Sequence, residues 1–155
     1  MGFIWRYNVY GGRLLNLPFL AKDTETLTKG DIGNIESGEV DLAVTSDASL
    51  AGIIQGAANP RDEKNSAGVP TPGVVSATDS TTLITVSVSP DAVYGIKDNN
   101  ARLAGALLDI SGATGAQTVA ASSNTEFVVV ERKRQDSDET RVMILPDSHY
   151  LVKGQ

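Results

Sequence analysis

LTKGDIGNIESGEVDLA, Leu27 to Ala43, is the stretch that decides the fold. An apolar entry meets a Lys29-Gly30 turn, and a short strand runs from Asp31 to Ile35. Glu36-Ser37-Gly38-Glu39 reverses the chain, and a second strand runs from Val40 to Val44. Ser-Gly between two short alternating runs is hairpin chemistry, because glycine supplies the positive φ that a tight connection needs. A chain that spends its residues this way is predicted to be antiparallel β.

The same rhythm continues outward. Thr45-Ser46-Asp47-Ala48 is a second polar turn, and Leu50 to Ala58 reads as a third strand. Gly52 and Gly56 within it predict a bend or a close backbone approach, and each weighs about 1 kcal/mol against a helix. Asn59 to Gly73, with three prolines and two glycines, reads as an exposed loop or hairpin excursion. Val74 to Ala77 is a short strand. Leu83 to Ser89 alternates, with Ile84, Val86 and Val88 on one side, and Pro90-Asp91 ends it. Val93 to Ile96 is a further strand. The last hairpin runs from Glu126 to Lys133 and returns from Thr140 to Leu145, closed by Pro146. Asn99 to Leu108 is the helix candidate, with Asn99 or Asn100 as its cap. Eight or more short strands predict a mainly β protein, a small antiparallel barrel or sandwich with at most one or two short helices.

Composition sets limits on function. A chain of 155 residues suits one domain and buries enough surface to fold without staples. It has no cysteine, so no disulfide framework, Cys-bound zinc or thiol nucleophile is available. The net charge of −6 opposes a nucleic-acid partner. The basic run at Arg132-Lys133-Arg134 is met at once by Asp136, Asp138 and Glu139, which reads as two flanks of one solvated turn. Met1 to Tyr10 lacks a basic segment followed by an apolar one, so no secretory leader is expected there. No apolar run reaches the roughly 20 residues of a membrane helix. The expectation is synthesis in the cytoplasm and no membrane partner.

Reactive side chains are sparse. The one histidine, His149, has Asp147 and Ser148 as sequence neighbours, which is poor geometry for a proton relay, and it reads as an ordinary tail residue. Asp136, Asp138 and Glu139 lack the spacing of a calcium loop. Ser111 to Thr118 lacks the Gly-Lys-Ser/Thr ending of a phosphate cradle and reads as a flexible loop. Paired carboxylates from distant strands stay open as a glycosidase-like alternative. The expectation is no catalytic residue, metal, cofactor or small-molecule substrate.

Five of the eight aromatics lie in the first twenty residues. Phe3, Trp5, Tyr7 and Val9 alternate with Ile4, Arg6, Asn8 and Tyr10, so a strand would carry the aromatics on one face. Gly11-Gly12 follows as a hinge, and Pro18 makes Arg13 to Phe19 a poor inner strand. Such a strand packs either on its own domain or on a neighbour. The reading adopted is the second: residues 1–26 form an extended N-terminal arm and 27–155 the body. Phe3, Trp5, Tyr7, Val9, Tyr10 and Phe19 are then the partner-binding residues, since buried aromatics dominate interface energetics.

The runs Leu27-Thr28-Lys29-Gly30-Asp31-Ile32, Ser37-Gly38-Glu39-Val40 and Asp47-Ala48-Ser49-Leu50-Ala51-Gly52-Ile53 resemble tailed-bacteriophage capsid decoration (cement) proteins. The resemblance implies a β-barrel or β-tulip-like body with an extended arm. It also implies a homotrimer on the exterior of an icosahedral virion, with the major capsid protein as partner. The alternatives are another virion component, such as a tail or fibre-base protein or the shell protein itself, a carbohydrate-binding β module with aromatics on the body, and an enzyme with dispersed carboxylates.

Overall fold

A computed structural model describes residues 2–45, 47, 49–77, 81–121, 126–131 and 138–152. Its strands are β1 (Ile4–Asn8), β2 (Asn16–Ala21), β3 (Thr26–Thr28), β4 (Ile32–Glu36), β5 (Glu39–Leu42), β6 (Leu50–Ala57), β7 (Val74–Ser76), β8 (Leu83–Ser87), β9 (Ala92–Lys97), β10 (Leu107–Ser111), β11 (Thr118–Ala120), β12 (Phe127–Glu131) and β13 (Glu139–Ile144). The helical elements among the described residues are two short 3-10 turns, Pro60–Asp62 and Pro146–Ser148. The protein is mainly β.

The opening stretch folds as its turn chemistry dictates. Glu36 pairs with Glu39 across Ser37 (φ 53°) and Gly38 (φ 84°). Two successive left-handed residues make the tight turn whose twist matches that of the flanking strands. The β4–β5 hairpin then enters a closed barrel in the order β2-β5-β4-β6-β8. A parallel pairing of β2 with β5, at Leu20↔Glu39 and Ala21↔Val40, completes the barrel and departs from the all-antiparallel expectation.

Pro18 sits inside β2 at no cost to the ladder. Ala21 N–H donates to Thr82 O, and Val88 N–H donates to Leu15 O. The odd-numbered residues of β2 therefore face β8, and Pro18 needs no N–H there. The β5 pairing reaches only Leu20 and Ala21.

A six-stranded antiparallel sheet, β1-β9-β13-β12-β10-β11, lies against the β4–β6 flank of the barrel. Ile35, Val40, Ala51 and Ile54 fill the barrel with Ile84, Val86 and Val88. Ile32, Leu50 and Ile53 point the other way, into a second core with Phe3, Tyr94, Phe127 and Ile144. Burial on both faces is why β6 reads as a near-continuous apolar run rather than an alternating one. Gly52 is the tightest point of this junction. At φ 146° a Cβ there would lie 2.8 Å from Ser87 Oγ and 2.5 Å from Tyr94 Oη, so a side chain is excluded.

Three expectations are corrected. Residues 1–26 are not a separate arm: β1 pairs with β9, β2 is a wall of the barrel, and Ala21 lies in the barrel core. The alternation of β1 also breaks, because a bulge at Arg6 moves the register from Trp5↔Tyr94 to Tyr7↔Val93. Asn99 to Leu108 is not a helix. Asp98 accepts from Asn100 N–H (3.0 Å) and from Arg102 Nε (2.7 Å), and these local bonds hold a loop until β10 begins. Asn59 to Gly73 is a hairpin excursion with a Lys64↔Pro70 bridge. Ser46 and Ala48 of the second polar turn, and the charged run Arg132 to Ser137, lie outside the described residues.

Candidate functional site

The six aromatic and apolar residues expected to form one interface part company. Phe3 is core: it is 2% exposed, its N–H donates to Gly30 O (2.7 Å), and its ring stacks on Phe127 at 5.5 Å. Its ring is therefore spent on the protein's own core. Tyr7 lies on the outer face of the sheet, where its hydroxyl bonds Glu131 and the Arg141 guanidinium sits 5.9 Å from its ring centroid. Arg6 pairs with Glu139, and Arg141 bonds both Glu131 (3.0 Å) and Glu139 (3.4 Å). This network ties β1 to β12 and β13. The hydrogen bond to Glu131, then burial, raises the Tyr7 pKa. Burial opposes the charge on Arg141, but the two glutamates outweigh it and raise that pKa. Phe19 is half-buried, edge-on to Tyr150 at 5.8 Å.

Val9 and Tyr10 remain exposed, Tyr10 at 90%. They lead into a turn whose base is fixed: Val9 N–H donates to Asp91 O (2.9 Å), Tyr10 N–H to Asp91 Oδ2 (3.1 Å), and Gly11 N–H to Asn8 O (3.0 Å). Leu15, also exposed, follows. The backbone of this tip is held while its apolar side chains face solvent.

Trp5 has a different setting. Its indole N–H donates to Asn8 Oδ1 (2.9 Å), and its ring lines an open groove of about 520 Å³ between β1 and the barrel. Phe3, Ile4, Leu14 and Ile53 supply apolar surface there, and Asn16, Lys29 and Gln55 supply polar groups. A second hollow of about 360 Å³ continues past Lys29 and Gln55 to Glu63 and Pro72. Gln55 reaches the groove because it is the extra residue of a bulge: Ile54 pairs with Val86 and Gly56 with Thr85. Among the described residues the side chains of Asn16, Lys29 and Gln55 have no hydrogen bond or ion pair. Sequence reading missed Leu14, Asn16, Lys29 and Gln55. The one available signal was Gly56, a strand glycine that marks a bulge beside Gln55.

The Lys29-Gly30 turn that lines the groove is followed directly by a buried polar latch. Asp31 accepts from Thr28 N–H (3.1 Å), Thr114 Oγ1 (2.7 Å) and Gly115 N–H (2.9 Å). Gln117, 1% exposed, accepts from Ile32 N–H (2.6 Å) and donates to Ala43 O (2.8 Å). Ser111 to Thr118 is therefore a docked connection rather than a free loop, and it pins the turn that carries Lys29.

His149 is no tail residue. It is 1% exposed, bridges to Leu50, and accepts from Leu151 N–H at Nδ1 (3.1 Å). Burial pulls its pKa down to about 4, so the imidazole is neutral at pH 7. Among the described residues no group of three or more His, Asp or Glu side chains could hold a metal ion. No described helix is long and apolar enough to cross a membrane.

Compared with protein-family models, with curated proteins and with solved structures, the chain gives no match in any of the three.

Proposed function

We propose that this protein is a structural virion component that binds the outer surface of an icosahedral phage capsid as a homotrimer and cements neighbouring capsid subunits. The observation that carries the reading is the tip at Val9 to Leu15. A solvent-facing Tyr on a fixed backbone suits an anchor, because docking then orders one side chain with two rotatable bonds and little backbone. The resemblance over residues 27–53 points to the same assembly class. The contact set is revised from an aromatic arm to Val9, Tyr10 and Leu15 on a folded edge.

The test combines light scattering with binding to purified empty shells of the phage that encodes the chain. A trimer that binds shells and raises their melting temperature is expected, since a ligand that favours the assembled state stabilises it by mass action. Tyr10→Ser should weaken shell binding by about 2 kcal/mol or more and leave the protein's own melting temperature nearly unchanged. A monomer that ignores shells overturns the reading, and one that binds purified tails replaces it with a tail or fibre-base role.

A further inference from the structure

The groove beside Trp5 is separate from the tip and is not used by the proposed cementing contact. Its two hollows share Lys29 and Gln55, so they form one path from an aromatic wall to a polar end. The volume of the first, about 520 Å³, lies within the ~300–1,000 Å³ typical of ligand sites. An indole whose N–H is already satisfied by Asn8 offers the groove an apolar ring surface. Two amides and an ammonium then stand beside it with no partner among the described residues. An aromatic surface flanked by planar amides matches a sugar ring, which has C–H faces and a rim of hydroxyls. The ammonium of Lys29 matches a carboxylate on such a ring, through a charge-assisted hydrogen bond.

We propose that this groove binds a linear oligosaccharide containing uronic acid, with one ring against Trp5, hydroxyls on Asn16 and Gln55, and a carboxylate at Lys29. The argument is independent of the capsid reading. A free carboxylate alone would engage Lys29 but leave Trp5 and the amides unused. A purely neutral sugar would leave the cation unused. The ligand that satisfies all four residues carries both features.

The chain has a single Trp, so its intrinsic tryptophan emission reports on the groove wall and nothing else. Titration of the full protein with tetragalacturonate should give a saturable change in that emission. The fully methyl-esterified form of that sugar, the neutral comparison with the same linkage and ring configuration, should bind about tenfold more weakly, the difference made by one charge-assisted contact. Lys29→Gln should remove that tenfold preference, and Gln55→Ala should weaken both sugars, each with an unchanged circular-dichroism spectrum. Tyr10→Ser should leave sugar binding intact, which separates this outcome from the shell test. The proposal fails if tetragalacturonate gives no saturable change up to millimolar concentration. It also fails if binding is indifferent to both Lys29→Gln and Gln55→Ala.

Discussion

The barrel and the six-stranded sheet solve the burial problem differently. The buried apolar side chains of the barrel are aliphatic: Ala21, Ile35, Val40, Ala51, Ile54, Ile84, Val86 and Val88, with Leu27, Val75 and Ala77 of the separate β3–β7 segment packed in the same cluster. The layer between sheet and barrel holds Phe3, Tyr94 and Phe127. Five strands enclose an interior too narrow for rings, because barrel diameter grows with strand number. Facing sheets stand about 10 Å apart, and rings fill that gap. The barrel also closes on itself and leaves no edge. The sheet ends at β1 and β11, and the β1 edge carries both the exposed tip and the Trp5 groove. Closure supplies stability in one region, and the open edge supplies contact surface in the other.

The largest test of this contrast is Phe127→Ala. It removes the ring that Phe3 stacks on, and by the cost of large-to-small core changes it should destabilise by about 3–5 kcal/mol in urea melts. A cost under about 1 kcal/mol would mean that the sheet does not depend on its aromatic layer. Deletion of residues 1–8 should behave alike, since it strips Phe3 and the β1 ladder together. An arm that merely reached a neighbour would be removed without loss of fold.

The segment that straps the barrel to the last strand gives the next effect. His149 is neutral in the folded protein down to about pH 4, whereas its unfolded form takes up a proton near pH 6.5. Between those values the unfolded state binds more protons, so stability falls as the pH falls from about 6.5 to about 4. The shift corresponds to about 3 kcal/mol. Urea melts of the wild type and of His149→Leu, compared from pH 7 to pH 4, isolate the term: the wild type should lose about that much more than the variant. Parallel pH profiles would place the proton uptake elsewhere.

The smallest effect is Ile54→Val inside the barrel, about 1 kcal/mol for a lost methylene. It should leave tryptophan emission unchanged, because Trp5 lies in the other layer. A shift in emission would show that the two cores are mechanically coupled, and Gly52, wedged between Ser87 and Tyr94, is where that coupling would pass.

Particular residues show how much was legible beforehand. The β4–β5 hairpin could be read because Ser37-Gly38 encodes its own turn. The β8 strand could be read because its alternation matches one buried face. Pro18 and Gly56 were visible as irregularities, but their consequences depend on which neighbouring strand they face. The groove was not legible. Trp5, Asn16, Lys29 and Gln55 meet only after β1 crosses to β9 and a bulge turns Gln55 outward. Asp31 read as the first residue of a strand, yet its main partners, Thr114 and Gly115, lie more than eighty positions away. The helix expected over Asn99 to Leu108 failed because Asp98 offers the local backbone a better set of bonds than a helix capped by asparagine.

The sequence by itself determined the β class, the turn positions and the aliphatic filling of the barrel, because these rest on local backbone preference and a two-residue period. Only the tertiary structure decided that the first strand folds back on its own sheet. It also decided which aromatics are buried and which remain available, because an unpaired strand edge takes whichever partner the rest of the chain brings within hydrogen-bonding distance.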